Sequence, residues 1–378
     1  MEKRAQLNLQ QFEQRLRTLW SLGSNIVLAW APASKAIKLL VIPHYALKPL
    51  STDQLDGGID SKSSPYGAIN TLISGRRELG SEALDQLGSQ LSAEAITIDL
   101  PFELTGSCAE TAQIEQLVKR FSISFSANRA VFLLDIVGFG LLSPFDQVVQ
   151  LNSLAFSLNS ANAKMLDQYI ELDFARSTIG DGFYVWNRDS GLNASINLFH
   201  FMNIALAENA IAQQKGKPGS VPVLRASFNV GRCYEYHQAE GLAPTERDFI
   251  VGDVTIELAR MIDAAKPGQI LVGDFLADFE SSPSNVINDS DQATGAVNFL
   301  AYAQHSLGRL SGLVLSGEQI SGIRCYLTGE PQGDGSFLNR KLTIVDKHRQ
   351  THSAFNAKVN IYRHQHSPIL LGIQDKDL

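Results

Sequence analysis

A chain of 378 residues is long enough for two domains, and its 44% hydrophobic and 19% charged residues are those of an ordinary globular protein. A net charge of −7 argues against non-specific nucleic-acid binding, which needs a basic surface, and no stretch approaches the roughly 20 uninterrupted apolar residues of a membrane span. The charged start MEKRAQLNLQQ does not read as a secretory signal, and Cys108, Cys233 and Cys325 form neither a disulfide framework nor a metal spacing, so a cytoplasmic protein is expected.

Over residues 5–22, Leu9, Phe12, Leu16, Leu19 and Trp20 fall near helical spacing, with Gly23 as the stop. Strands are predicted at 25–31 and 37–43, joined by a short loop containing Pro32, which suits a hairpin. The Asp, Gly, Ser and Pro content of 51–66 reads as an exposed loop. A helix follows near 82–91, and another over 109–121 puts Ile114, Leu117, Val118 and Phe121 on one face. The expected division is a separate N-terminal α/β-type domain at 1–108 with a regulatory role, a helical connector at 109–128, a catalytic domain at 129–330, and a basic extension at 331–378 able to complete the catalytic sheet.

The run RAVFLLDIVGFGLLSP, 129–144, organises the remainder. AVFLL reads as a buried strand, and a carboxylate at its end, Asp135, costs several kcal/mol unless a cation or donors compensate it. Gly138 and Gly140 permit a turn lined with N–H groups, and Ser143 followed by Pro144 is a helix start. A helix to about Met165, a strand over 169–177 and the hairpin STIGDGFYVW come next, with Asp181 at the hairpin tip. Beyond it are a helix at 196–214, a strand at 221–231, and strand, helix and strand over 248–273. This order predicts an α+β sandwich with helices on one side of a mainly antiparallel sheet.

DIVGF at 135–139, TIGDGF at 178–183, and IVGDVTIELARM at 250–261 followed by KPGQILVG resemble, in order and spacing, the catalytic domain of class III nucleotidyl cyclases. The resemblance covers about 129–275. It implies a ferredoxin-like, palm-type sandwich that closes a nucleoside triphosphate, ATP first by family frequency, to a 3′,5′-cyclic nucleotide and pyrophosphate. It also implies that Asp135 and Asp181, with Ile136, hold two Mg²⁺ or Mn²⁺ ions. Val137, Gly138, Phe139 and Gly140 would hold the β- and γ-phosphates, and Arg260 would stabilise charge on the α-phosphate. In the family the aspartates and the arginine come from opposite subunits, so a homodimer with shared sites is expected, with no nucleic-acid or membrane partner.

Departures from the family pattern fall on the base-reading and ribose-orienting positions. The base-reading positions are Ser177 and Phe249, neither of the expected donor or acceptor type, whereas Arg176 and Asp248 lie one residue earlier, on the other face unless a β-bulge intervenes. Ile256 stands where the family has an Asn, and these departures leave open the alternatives of a different base, GTP or a pyrimidine triphosphate, or a non-catalytic nucleotide-binding signalling module. Lys358 and Lys347, within a segment holding six basic residues against one acid, are both candidates for a phosphate-binding lysine. Plainer readings exist beside these: a turn role for Asp135, an Arg260–Glu257 surface pair, a structural role for Arg176 and Asp248, and a metal at Asp346, His348 and His352.

Overall fold

The computed structural model describes residues 2–20, 23–46, 65–240, 245–279, 293–333 and 337–378, so residues 51–64 of the expected loop lie outside the described residues. The chain divides into two compact units, Met1–Ser126 with Tyr234–Ile250, and Ala127–Cys233 with Val251–Leu378.

The first unit contains α1 (Glu2–Trp20), β1 (Asn25–Ala33), β2 (Ala36–Pro43), α2 (Pro65–Ser74), α3 (Ser81–Gln90), β3 (Ala95–Asp99) and α4 (Cys108–Arg120). β1 and β2 form the predicted hairpin, and β3 adds antiparallel to β2. Ile26 to Ala31 are buried on both alternating faces because helices cover both. Phe12, Leu16, Ile114 and Val118 pack with Val27, Trp30 and Ile37, while Leu72, Leu84 and Leu87 pack with Ala29, Ala31 and Leu40. α4 is therefore part of this unit's core, and the unit's first segment runs to Ser126, through the expected domain at 1–108 and nearly all of the expected connector at 109–128. Its apolar stripe is core packing: Ile114 is 1% exposed and Val118 0%. Beside that stripe the fully buried Arg77 donates to the carbonyls of Leu28 and Ile123, and Glu115 accepts from the Arg77 N–H and from Trp30 Nε1. Burial lowers the Arg77 pKa to about 10 against the attraction of Glu115.

The chain crosses into the second unit within β4 (Ile123–Ile136) and continues through α5 (Pro144–Asp167), β5 (Phe174–Thr178), β6 (Gly182–Asn187), α6 (Leu192–Lys215) and β7 (Leu224–Glu240), whose end from Tyr234 belongs, with β8 (Thr245–Val251) up to Ile250, to the first unit. Then follow α7 (Asp253–Ala264), β9 (Ile270–Gly273), β10 (Leu276–Ala277), β11 (Thr294–Gly295), α8 (Ala296–Leu307), β12 (Val314–Leu315) and β13 (Glu318–Leu327). The C-terminal strands are β14 (Gly329–Pro331), β15 (Phe337–Asn339), β16 (Lys341–Val345), β17 (Thr351–Arg363) and β18 (Ile369–Leu371). The large sheet has the order β12-β13-β17-β9-β7-β4-β6-β5. β9 runs parallel to β7 and antiparallel to β17.

Alternation along β4 sends Phe132, Leu134 and Ile136 into the core shared with α5, α6 and α8. Helices were expected on one side only; α7 lies on the opposite face, where Ser227 Oγ donates to the Leu258 carbonyl and Tyr184 Oη to that of Thr255. The amphipathic pattern of α7 fits that place, with Val254, Leu258, Met261 and Ile262 buried. Residues 331–378 are not peripheral, since β17 sits inside the sheet between β13 and β9.

Candidate active site

Asp135 ends β4 opposite Gly182, the first residue of β6, and the Ile136 N–H donates to the Asp181 carbonyl at 2.9 Å. The pairing is close: a Cβ on Gly182 would lie 1.9 Å from the Leu134 carbonyl oxygen, so the Gly-Asp-Gly sequence is a steric requirement of the hairpin that presents Asp181. The fold thus brings the two aspartates, 46 positions apart in sequence, side by side.

Asp135 is 3% exposed, and Arg225 on β7 donates to its Oδ2 from Nε at 2.8 Å and from Nη2 at 2.5 Å. Burial raises the Asp135 pKa, Arg225 opposes the rise, and the neighbouring Asp181 carboxylate adds to it. Asp181 has no cationic partner among the described residues, and Arg225 pairs with Asp135 alone. Sequence reasoning missed Arg225; the signal was a lone cation in a predicted strand, VPVLRASFNVG, otherwise free of charge.

Beyond the acid pair the chain turns through Gly138, whose φ of +71° is a left-handed conformation, into a single 3-10 turn at Phe139–Leu141. Ser143 caps α5 as expected, accepting from the Asp146 N–H at 3.2 Å, with Pro144 in the first turn. The N–H groups of Ile136 and Val137 are engaged by the carbonyls of Asp181 and Val223. That narrows the expected donor set: among the described residues only the N–H groups of Gly138, Phe139 and Gly140 in this turn lack an acceptor.

Arg260 projects from α7, and its partners are Asp346 Oδ2, 3.2 Å from Nε, and the exposed Asp263, 3.6 Å from Nη1. The surface pair with Glu257 is not formed; Glu257 accepts from Asn229 Nδ2. Asp346 opens the turn between β16 and β17, and its Oδ1 accepts from the N–H groups of His348 at 2.8 Å and Gln350 at 2.9 Å. His352 Nε2 lies 3.5 Å from Oδ2. Burial works against the charged form of Asp346, but the turn N–H groups, His352 and Arg260 outweigh it and hold the carboxyl below its usual range. The possible metal set Asp346, His348 and His352 is therefore not assembled: His348 contributes its backbone, and no group of three or more His, Cys, Asp or Glu side chains suited to a metal occurs among the described residues.

The remaining site residues are dispersed. β5 pairs with β6 in unbroken register from Phe174 to Thr178, so no bulge brings Arg176 to the face of Ser177. Ser177 opposes Tyr184, on the α7 side, while Arg176 is exposed and lies over the Phe183 ring at 5.3 Å. Asp248 and Phe249 belong to the first unit, where Phe249 stacks on Tyr236 with centroids 5.0 Å apart. Lys347 is exposed in the turn that begins at Asp346, whereas Lys358 is 3% exposed on β17, its pKa lowered by burial against the pull of Asp377. Ile256 is half exposed on α7. No helix among the described residues is long and apolar enough to cross a membrane.

Neither a family model nor a curated protein matches the chain. Among solved structures it is similar to the guanylyl cyclase Cya2, at 13% identity and a TM-score of 0.36, over 62% of this chain and 92% of that one. It is similar at the same identity and TM-score to the adenylyl cyclase CyaB from P. aeruginosa, over 62% and 95% of the two chains. The guanylate cyclase domain of RhGC from Catenaria anguillulae, in complex with GTP, gives 14% identity and a TM-score of 0.35 over 62% and 97%. Two of these three structures are guanylyl cyclases or a domain of one, and the third is an adenylyl cyclase.

Proposed function

We propose that the chain is a nucleotidyl cyclase that converts a nucleoside triphosphate, ATP in the first instance, to a 3′,5′-cyclic nucleotide and pyrophosphate. The observation that carries this reading is the placement of Asp135 and Asp181 side by side at adjoining strand ends. Two adjacent oxygen-donor carboxylates, only one of them paired with a guanidinium, are short of positive charge, which suits hard divalent cations held partly by substrate phosphates. Asp135, Asp181 and the Ile136 carbonyl would hold Mg²⁺ or Mn²⁺, whose chemistry is to acidify the ribose 3′-hydroxyl and offset phosphate charge.

In the reaction the 3′-oxygen loses its proton and bonds to the α-phosphorus as the bond to the β-phosphate oxygen breaks. The free N–H groups of Gly138, Phe139 and Gly140 orient the β- and γ-phosphates. Arg260 supplies a guanidinium to the α-phosphate from a second copy of the chain. Two features favour a homodimer: Arg260 makes no ion pair with either site aspartate, and exposed apolar residues flank both halves, Leu141, Phe145 and Val148 on one side, Val251 and Ile256 on the other. Lys347, one residue from the partner of Arg260, is favoured over the buried Lys358 as the phosphate lysine.

A second reading keeps the reaction and changes the base. It is favoured by Ser177 facing α7 while Arg176 points away, which leaves no lysine-like donor for adenine. Turnover of ATP, GTP, CTP and UTP by the purified full chain with Mn²⁺ or Mg²⁺ tests both. A single cyclic product, lost in Asp181→Ala, names the base. Absence of product from all four sinks the cyclase reading.

A further inference from the structure

We infer that Asp346 is a positioning residue that sets the orientation of the Arg260 guanidinium. The inference deepens the cyclase reading and rests on it. An arginine side chain has five N–H donors in a rigid plane, and which edge is held decides which edge is offered. Asp346 lies along the Nε edge at 3.2 Å, and the only other partner among the described residues is Asp263, 73% exposed, at 3.6 Å. With the Asp346 charge set beside Nε and Nη1 near only the exposed Asp263, the terminal nitrogens are the edge offered to an anion, the geometry a developing phosphate charge requires.

Asp346 is suited to this because its own place is fixed by backbone. The His348 and Gln350 N–H groups both bind Oδ1, Asp346 N–H donates to the Gln350 carbonyl at 3.0 Å, and Arg349 closes the turn with a φ of +64°. Oδ2 is then turned toward Arg260 and His352, with the side chain 2% exposed. The Arg260 Nε–H is close to Oδ2 without being aligned for a hydrogen bond, the loose geometry common before a substrate draws catalytic groups together.

The test is a double-mutant cycle with a spectroscopic arm on the full chain. Asp346→Asn keeps an oxygen for the turn N–H groups while removing the charge beside Arg260; Asp346→Thr is a second variant with one acceptor, should Asn not fold. In the parent background kcat is expected to fall about 10-fold with KM within about twofold, the signature of a contact that matters in the transition state. In an Arg260→Ala background the same substitution should change kcat less than about twofold, since a residue acting through Arg260 has nothing left to act on. Independently, the Arg260 Nε–Hε NMR cross-peak, assigned by its loss in Arg260→Lys, should move in Asp346→Asn. Additive losses in the cycle, or an unmoved cross-peak, overturn the proposal. A parent that turns over no triphosphate sinks the cyclase reading and the catalytic half of this proposal with it; the cross-peak then decides whether Asp346 holds Arg260 at all.

Discussion

Asp135 and Asp346 are both buried carboxylates that pair with one arginine each, and they titrate in opposite directions. Asp135 sits at a strand end beside a second carboxylate, and burial raises its pKa against the single guanidinium of Arg225. Asp346 sits in a turn whose two N–H groups bind its Oδ1, and its pKa is lowered. The comparison teaches that the acid half carries more negative charge than its one guanidinium offsets, whereas at Asp346 backbone donors, His352 and Arg260 together outweigh burial.

The largest break in that comparison is at the acid pair. Asp181→Ala, or Asp135→Asn, should lower cyclic-nucleotide formation by at least about 100-fold, measured as initial rate with Mn²⁺, because the lost group bears on charge developing at the phosphates. Next is Arg225→Ala, which leaves Asp135 buried beside Asp181 with no counter-charge. Breaking a buried pair on one side costs about 3 kcal/mol or more, so a clear drop in thermal midpoint is expected. Added Mn²⁺ should recover more stability in this variant than in the parent, since the ion takes the place of the missing cation. Equal recovery in both would show that Arg225 and the metal do not compete for Asp135.

Gly182→Ala sharpens the same half from its backbone. A Cβ 1.9 Å from the Leu134 carbonyl oxygen forces β4 and β6 apart, at a cost of about 1–3 kcal/mol by analogy with overpacked cores. Denaturant unfolding should report the loss, and turnover should fall further than in a variant of equal stability altered elsewhere, because the displaced strand ends carry the two aspartates.

Smaller in size but opposite in sign are the pH responses. Asp135 has a raised folded pKa, so the folded state holds its proton where the unfolded chain has lost it. Stability from this group is greatest below the unfolded value, about 3.9, and falls as pH rises from there through the folded value. Asp346, with a lowered pKa, contributes stability that is present above the unfolded value and lost as pH falls through the folded one. Thermal midpoints against pH should therefore diverge oppositely from the parent: Asp135→Asn loses its disadvantage, or gains advantage, toward neutral pH, and Asp346→Asn toward strong acid. Parallel curves would mean that the two carboxylates do not differ as their surroundings imply.

Legibility followed how local each signal was. The β1–β2 hairpin, the Ser143–Pro144 helix start and the Asp135 strand could be read directly, because each rests on neighbours in sequence. The α4 stripe was legible as helical but not as core of the first unit, since its partners are Val27 and Trp30, more than 80 positions away. Arg225, and the pairing of Asp346 with Arg260, escaped for the same reason: neither can be read until the sheet brings β7 beside β4, or the β16–β17 turn beside α7. The one-residue offset at Arg176 was legible as a question, and only the unbroken β5–β6 register answers it.

His348 marks the lower end of the scale and separates side chain from backbone in the second half of the site. Its spacing from Asp346 and His352 suggested a metal, yet what it gives Asp346 is an N–H that any residue other than proline supplies. His348→Ala should therefore change stability by no more than about 0.5 kcal/mol and leave the Mn²⁺ dependence of turnover untouched, whereas His348→Pro removes the donor and should resemble Asp346→Asn in kcat. A strong effect of the alanine variant on metal dependence would return the imidazole to the list of ligands, and would mean that the arginine half, like the acid half, is completed by an ion.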